Sequence, residues 1–253
     1  MSESLIIFCR EWAVTVALTG YLTPVYPRPV MPVHGLAQLT RILQAYPRRP
    51  VLLGLRPHEH VVDLYRLQPL LAGRAVLFVG RCFYWTDYNL PEWLALERYG
   101  FCTWDAMQDP FSRRMELRRF SRLCVDEKDD GDDREGEPLN PGPAVTLMTE
   151  TQVLEKANRW LYRELSATGL TGYEVRVLSL MTEGRNGNLP SRTRSLHKNN
   201  GLYKLGMTKH LTDLYRGVKV RAALQSGLRL QAEDTSPETE NIIPLRQEAG
   251  RQS

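Results

Sequence analysis

The hexapeptide AVLFVG at residues 75–80 is a continuous apolar run, as expected of a strand that is buried on both faces of a parallel sheet. Three further runs share this character: SLIIFC at 4–9, PVLLGL at 50–55 and GFCTW at 100–104. Longer stretches with helix-like spacing of apolar residues lie between the runs: 36–45, 61–68 and 91–99. This alternation of strand and helix predicts an α/β doubly wound fold for residues 1–122.

Two helix ends in this region follow from local features of the sequence. Pro69 is expected to end the helix predicted at 61–68, because proline has no N–H to donate and its ring clashes with the preceding turn. The stretch MELRRFSRL at 115–123 predicts a helix that closes the domain.

Acidic and basic residues are segregated along the chain, although its net charge is only +4. Residues 126–137 hold eight acidic and two basic residues, and the surrounding segment 123–145 is predicted to be a disordered linker. The polar residues 227–253 predict a disordered tail. Residues 151–223 hold thirteen Lys or Arg and five acidic residues, a net charge of +8. This charge favours a module that binds a polyanion over a solvated basic surface without a ligand.

Helix caps organise the basic part of the chain. Thr149 or Thr151 can cap a helix that runs to about residue 166. Thr171 precedes Glu174 by three residues, which is the spacing of a capping box at the start of a second helix. After a basic stretch, apolar residues on one face predict a last helix at 211–224.

Composition and motifs argue against several classes of function. No apolar run is long enough to span a bilayer. Four cysteines lie far apart without a C-x-x-C pair, which is typical of reduced thiols in a cytosolic protein. His58 and His60 have no third metal ligand nearby in sequence, so a solvated loop is favoured over a metal site. The phosphate-binding, nucleophile-elbow and dinucleotide motifs are absent, so we expect neither an enzyme nor a cofactor.

Three consecutive pieces of residues 146–226 carry a resemblance to a known family: LTGYEVRVLSLMTEG at 170–184, TRSLHKNNGLYKLGM at 193–207 and LTDLYRGVKV at 211–220. In this order, and with the spacing from His197 to Gly206, they resemble the opening, recognition and last helices of the helix-turn-helix domain of LuxR/FixJ-type bacterial transcription regulators. The resemblance implies an all-α, DNA-binding domain at 146–226.

The resemblance also implies which residues bind double-stranded DNA and which pair subunits. The implied DNA contacts are Arg192, Thr193, Arg194, Ser195, His197, Lys198, Asn199 and Lys204. Ser195 and Asn199 occupy positions that face base edges in the family, and Asn can pair with adenine in the major groove. The implied dimerisation residues of the last helix are Leu211, Leu214, Tyr215 and Val218.

The chain departs from the family pattern before the recognition helix. Only RNGNLPSR at 185–192 lies where family members hold a scaffold helix, and its Asn-Gly pair and Pro190 favour turns. A scaffold helix fixes the angle of the recognition helix in the major groove, so specific DNA reading is an open question. Gly201 stands where the family has an apolar core residue and is expected to weaken the helix by about 1 kcal/mol relative to Ala.

With this family in mind, residues 1–122 resemble its receiver domain without the phosphorylation chemistry. The pieces FCRE, VLLGLRPH, LFVGR and GFCTWDA place other residues at the functional positions: Arg10-Glu11 for the acidic pair, Gly54 for the phosphorylated Asp, Gly80 for Ser or Thr, and Trp104 for Lys. A phosphoryl site needs carboxylates for Mg²⁺, a nucleophilic Asp and a cation. The region is therefore predicted to be a pseudo-receiver, and the alternative is an unrelated small α/β domain.

Together these expectations describe a cytoplasmic transcription regulator that binds DNA independently of receiver phosphorylation. Its expected partner, besides DNA, is a second subunit, in a homodimer or in a heterodimer with a related regulator, and no membrane is involved. Pairing is expected through the last helix and through the aromatic segment CFYWTDYNLPEW at 82–93, whose rings could instead pack in the core. The competing hypothesis is a protein-interaction modulator that pairs with an intact regulator without reading DNA itself.

Overall fold

The computed structural model describes residues 4–124, 148–185 and 187–225. Nearly all of the linker predicted at 123–145, and the whole tail predicted at 227–253, lie outside these residues. Residues 4–124 are called the sheet domain below, and the described residues from 148 to 225 are called the helical unit.

The sheet domain is built on a five-stranded parallel sheet with the strand order β2-β1-β3-β4-β5. The strands are β1 Leu5–Phe8, β2 Val30–Val33, β3 Val51–Leu53, β4 Ala75–Gly80 and β5 Arg98–Thr103. Every residue of β1, β3 and β4 is buried, which explains why these strands are continuous apolar runs in the sequence. The edge strand β2 escapes prediction because its four residues include Pro32, and proline is tolerated only at such edges.

Helices cover both faces of this sheet. They are α1 Trp12–Leu22, α2 Leu36–Ala45, α3 Val61–Leu71, α4 Trp85–Trp93, α5 Trp104–Gln108 and α6 Pro110–Leu123. On one face, Leu18 of α1 and Phe120 of α6 belong to the same core cluster as Ile7 of β1. On the other face, Leu43 of α2 belongs to the cluster of Phe8. This two-sided packing confirms the predicted α/β doubly wound class.

Two predicted boundaries in the sheet domain are wrong. Helix α3 continues past Pro69 to Leu71, because a proline in the last turn removes one backbone hydrogen bond while Leu71 is only 1% exposed and anchored in the core. The helix predicted at 91–99 is also wrong, since α4 lies earlier and β5 begins within that range. Ala95, with φ of 53°, makes the sharp turn between them.

The helical unit contains α7 Glu150–Ala167, α8 Gly172–Thr182, α9 Ser191–Lys204 and α10 Leu211–Gly217. Thr149 and Thr171 form capping boxes at the starts of α7 and α8, with Gln152 and Glu174 as their partners. The predicted capping box of α8 is thereby confirmed. Among the described residues, no helix is both long enough and apolar enough to cross a bilayer.

Helix α10 is shorter than predicted and ends at Gly217 rather than near residue 224. Asn158 of α7 explains this end, because its side-chain amide donates to the carbonyl of Val220 and accepts from the N–H of Val220, both at 3.0 Å. The backbone groups of Val220 are thus bound to α7 instead of continuing α10. A single 3₁₀ turn, Ala222–Leu224, follows.

The helical unit packs against α3 and α4 of the sheet domain. Val61 and Trp85 of the sheet domain share one core cluster with Val153 of α7. At the edge of this contact, the side chain of Gln225 accepts from the N–H of Val61 at 3.0 Å and donates to the carbonyl of His58 at 2.9 Å. The two parts of the chain therefore share an apolar core.

Candidate nucleic-acid interface and strand-end cleft

Helices α8 and α9 are joined by a turn and pack directly against each other. Gly184 and Gly187 in this turn have φ of +72° and +62°, a region that favours glycine. Where the helices cross, a Cβ added to Gly201 would lie 2.9 Å from Cδ1 of Leu178, and the neighbouring Leu202 is fully buried. The described residues between the two helices form no scaffold helix, so contact with α8 is what holds α9 in place.

This contact changes the interpretation of Gly201. The family comparison treats it as a missing core residue that weakens the helix. In the structure, any side chain at this position has to displace the buried Leu178. Glycine therefore permits the close approach of α9 to α8, which offsets its poor helix propensity.

The solvent-facing side of α9 extends from Arg192 in the first turn to Tyr203 in the last. Five exposed residues on this side are called the α9 face below: Arg192, Ser195, Leu196, Asn200 and Tyr203. Leu196 is 56% exposed and Tyr203 is 81% exposed, although both side chains are large. The α9 face thus combines one guanidinium, two small hydrogen-bonding side chains and two large side chains, and the sheet domain does not cover it.

The predicted DNA contacts on α9 differ in how exposed they are. Arg192 and Ser195 are exposed, whereas the following are half-buried: Thr193, Arg194, His197, Lys198 and Asn199. The ring of His197 stacks on that of Tyr173 with centroids 5.5 Å apart. The Nζ of Lys198 donates to the carbonyl of Lys209 at 3.4 Å, and Oδ1 of Asn199 is buried without a hydrogen-bond partner among the described residues.

Lys204, which was expected to contact phosphate, forms an ion pair with Glu174 of α8. Its Nζ lies 2.8 Å from Oε2 of Glu174, a residue that is only 3% exposed. Burial alone would raise the pKa of the Glu174 carboxyl, but hydrogen bonds from Lys204 and Thr171 outweigh burial and lower this pKa below its ordinary value. Lys204 therefore helps to hold α9 on α8.

Three residues of the α9 face are missing from the predicted DNA-binding set: Leu196, Asn200 and Tyr203. Asn200 offers an exposed amide, unlike the half-buried Asn199 beside it. The helical period of 3.6 residues, counted from Arg192, could have identified Leu196 and Tyr203. The same count points to Asn199, so only the structure shows that Asn200 is the exposed one of the two.

The predicted dimerisation residues of α10 are also divided. Leu211 and Tyr215 are 63% and 42% exposed. Leu214 and Val218 are 2% and 6% exposed and belong to the core cluster of the helical unit. A subunit contact through Leu214 and Val218 would require this core to open, so the prediction is corrected for these two residues.

The aromatic segment at 82–93, the other predicted pairing surface, mainly faces the chain's own helices. Trp85 is buried, and Trp93 packs against the same cluster as the helices of the helical unit. The ring of Tyr65 stacks on Trp93 at 5.7 Å, while Tyr88 remains 51% exposed. Contact within the chain therefore takes the place of the predicted subunit contact over most of this segment.

A cleft of about 490 Å³ opens at the carboxyl ends of β1, β3 and β4, where the family resemblance places phosphorylation. A Cβ added to Gly54 would lie 2.8 Å from Cβ of Cys9 and 3.0 Å from its Sγ. A Cβ added to Gly80 would lie 2.9 Å from Cγ of Arg56. The two glycines thus occupy positions without room for the side chains of a phosphoacceptor site, and Trp104 also lines the cleft.

The two histidines after β3 have different surroundings. The Nδ1 of His58 lies 2.8 and 2.9 Å from the two carboxylate oxygens of Asp87, and its backbone N–H donates to Asp87 Oδ1 at 2.8 Å. His60 lines the cleft, and burial lowers the pKa of its imidazole to about 4. In the part of the chain that the structure describes, no three potential metal-ligating side chains cluster together.

Gly54→Asp, which introduces the residue that the family resemblance implies at this position, is expected to destabilise the chain by about 1–3 kcal/mol. The reason is overpacking, because the new side chain would collide with Cys9, the residue that directly follows β1. Urea denaturation followed by circular dichroism measures the free energy of unfolding. We also expect no stable phosphorylation of this variant by acetyl phosphate.

Gly35→Asp is the matched control for this substitution. Nothing lies within 4 Å of a Cβ at Gly35, and Asp is a favourable N-cap for α2. Cys9→Gly combined with Gly54→Asp completes a double-mutant cycle, in which relief of the collision appears as a favourable coupling energy. A coupling energy near zero would contradict the steric explanation.

No protein-family model matches the chain, and no curated protein sequence does. Among solved structures, full-length FixJ from B. japonicum matches with 14% sequence identity and a TM-score of 0.33, over 85% of this chain and 94% of that chain. A likeness of this degree says nothing about activity. Function has to be inferred from the residues of this chain.

Proposed function

We propose that this chain is a DNA-binding transcription regulator that acts without phosphorylation of its sheet domain and without catalysing a reaction. The observation that carries the proposal is the α9 face. A helix packed on α8 presents Arg192, Ser195 and Asn200 to solvent, clear of the sheet domain. A protruding helix of this kind can enter the major groove of DNA.

The start of α9 supports a phosphate contact. Its N-cap residue is Pro190, which has no side-chain acceptor, so no capping side chain binds the N–H groups at the start of the helix. The positive end of the helix dipole favours an anion at the same place. Arg192 and Arg194 lie in this first turn, and residues 151–223 carry a net charge of +8. A DNA phosphate fits these features.

Base reading is assigned to Ser195 and Asn200. Both lie on the α9 face one helical turn or more beyond the phosphate-binding end, where a recognition helix meets base edges. The amide of Asn200 can pair with the N6 and N7 atoms of adenine. The assignment moves from Asn199 to Asn200 because Asn200 is the exposed residue of the two.

Independence from phosphorylation is proposed from the strand-end cleft. Gly54 and Gly80 have no side chains, and Cys9 and Arg56 fill the space where side chains would lie. Control of the regulator is therefore assigned to a bound ligand, a partner subunit or protein abundance. Leu211 and Tyr215 are exposed, so the proposed dimer can form through these two residues.

Salt-dependent DNA binding by the full chain tests the proposal. The slope of log Kobs against log salt changes by about 0.9 for each phosphate contact of duplex DNA, so Arg192→Gln with Arg194→Gln is expected to make the slope shallower by about 1.8. We expect the affinity to fall about tenfold at moderate salt. Fluorescence anisotropy with labelled duplexes of random sequence measures both quantities.

Arg41→Gln with Arg48→Gln provides the matched control. These exposed arginines lie in and after α2, in the sheet domain, and the pair removes the same charge. The salt slope of this control should equal that of the unmodified chain. An equal decrease of the slope in both double variants, or no salt-dependent binding by the unmodified chain, would refute the phosphate contact.

A protein-interaction modulator is the second candidate function. The exposed side chains of Leu196 and Tyr203 favour it, because they lie seven residues apart on the same side of α9 and form an apolar surface. Under this alternative the chain does not bind DNA, and Leu196→Ser with Tyr203→Ser abolishes association with a partner. Under the DNA-binding proposal the same double variant keeps the salt slope of the unmodified chain.

A further inference from the structure

The strand-end cleft lies where open α/β sheets bind ligands. β1 lies between β2 and β3 in the sheet. The connection after β1 therefore runs to β2 on one side, whereas the connection after β3 runs to β4 on the other side. Ligands bind outside the carboxyl ends of the strands at such a switch point. The cleft volume of about 490 Å³ falls in the range of small-molecule sites, roughly 300–1,000 Å³.

Three arginines converge on this cleft from the ends of three strands. Arg10 follows β1, Arg56 follows β3 and Arg81 follows β4, and all three line the cleft. The side chains of Arg10 and Arg81 are exposed and make no hydrogen bond or ion pair with other described residues. Guanidinium groups bind phosphate and carboxylate oxygens through paired N–H donors.

Arg56 is held in a fixed orientation. Its Nε donates to Oε2 of Glu59 at 2.9 Å, and its Nη2 makes a second bond to Oε1 of the same carboxylate. Its aliphatic carbons pack beside Gly80, because a Cβ at that position would lie only 2.9 Å from Cγ of Arg56. Glu59 offsets one positive charge and Glu11 offsets another, so the three arginines leave the cleft with one net positive charge while His60 is neutral.

His60 adds a polar group to the cleft, and its Nδ1 lies 4.0 Å from Oδ2 of Asp63, beyond hydrogen-bond distance. The residue is 6% exposed and lines the cleft, and its Nδ1 has no hydrogen-bond partner among the described residues. A buried polar atom without a partner is costly in a folded protein unless a ligand or water satisfies it. The cleft also has an apolar wall, formed by Val14, Leu55 and Trp104.

We propose that this cleft binds a small phosphorylated molecule of nucleotide size. Its phosphate lies among Arg10, Arg56 and Arg81, and its ring lies against Trp104. The site takes the place of the phosphoryl chemistry that a receiver performs at the same strand ends. The anion is bound as a reversible ligand and no bond to the protein is formed.

One short segment of the chain both lines the cleft and contacts the helical unit. Within the segment 56–60, Arg56 and His60 line the cleft. The carbonyl of His58, in the same segment, accepts a hydrogen bond from the side chain of Gln225 at 2.9 Å. The following N–H, of Val61, donates to the same Gln225 side chain at 3.0 Å. A ligand bound against residues 56–60 therefore acts on the contact between sheet domain and helical unit. Its effect on DNA binding rests on the proposed function, whereas ligand binding itself does not.

Isothermal titration calorimetry of the full chain with three probes tests the site: adenosine monophosphate, adenosine and inorganic phosphate. Adenosine monophosphate should bind, and adenosine should bind at least tenfold more weakly because it lacks the charged group. Arg10→Gln with Arg81→Gln should lower the affinity for adenosine monophosphate at least tenfold. Trp104→Leu should weaken binding of adenosine monophosphate and leave binding of inorganic phosphate unchanged.

Arg41→Gln with Arg48→Gln is the matched control and should keep the affinity of the unmodified chain for adenosine monophosphate. Thermal unfolding checks that each variant is folded, which is expected since Arg10 and Arg81 are exposed. The proposal is overturned if adenosine monophosphate fails to bind, whether or not inorganic phosphate binds. It is equally overturned if Arg10→Gln with Arg81→Gln binds as tightly as the control. Failure of DNA binding in the separate anisotropy experiment leaves these outcomes unaffected.

Discussion

Asp87→Ala is expected to destabilise the chain by about 3–5 kcal/mol, because the substitution removes one partner of a buried polar pair and leaves the other without compensation. Asp87 accepts from the backbone N–H of His58 and of Tyr84, each at 2.8 Å, and its carboxylate faces Nδ1 of His58. Neither Asp87 nor the His58 side chain is accessible to solvent. Urea denaturation of the full chain measures the loss.

The loss should extend to the contact between the sheet domain and the helical unit. His58 bonds to Asp87 through its side chain and to Gln225 through its carbonyl, so loosening one contact loosens the other. Asp87→Asn, whose amide oxygen can still accept a hydrogen bond, should lose less stability than Asp87→Ala. Glu97→Ala, at an exposed carboxylate, is the control and should stay within about 0.5 kcal/mol. A loss below about 1 kcal/mol in Asp87→Ala would show that the buried pair does not stabilise the fold.

Acidification is expected to destabilise the chain by about 3 kcal/mol through His60 alone. Burial lowers the pKa of this imidazole from 6.5 to about 4, with Glu59 opposing the shift and Arg10 adding to it. Between these two pH values the unfolded chain binds a proton that the folded chain does not. Stability is therefore full above pH 6.5 and falls as the pH decreases towards 4.

Comparison of His60→Gln with the unmodified chain isolates this contribution. The free energy of unfolding, measured in urea at pH 7 and pH 4.5, should fall by about 2–3 kcal/mol more in the unmodified chain than in His60→Gln. His34→Gln removes an exposed histidine and should keep the full pH dependence. Equal pH dependence in His60→Gln and in the unmodified chain would contradict the assignment to His60.

Much of the sheet domain could be predicted from local patterns. The apolar runs that became β1, β3 and β4 were recognisable because strands buried on both faces need apolar residues at every position. The capping box of Thr171 and Glu174 was also recognisable, since its partners lie three residues apart. The edge strand β2 was not, because Pro32 at a sheet edge resembles a loop in sequence.

The candidate sites were predicted less completely. The position of α9 followed from the family resemblance, but its exposed side depends on which residues meet α8. Gly201 and Leu202 face α8, so Asn200 and Tyr203 face solvent and Asn199 lies half-buried. The burial of Leu214 and Val218 could not be predicted for a similar reason. Apolar residues on one face of a helix fit a subunit contact and an internal core equally well.

Residues close in sequence determined the α/β class, the helix caps and the lack of a side chain at Gly54 and Gly80. These properties depend on residue type, on burial along one strand and on hydrogen bonds within one turn. Tertiary structure alone decided that Asp87 binds His58, 29 residues away, and that Gln225 binds the carbonyl of the same residue, 167 positions away. It also decided that arginines from three strand ends share one cleft. The physical reason is that such contacts depend on how strands and helices pack, and the spacing of residues within any one element carries no record of that packing.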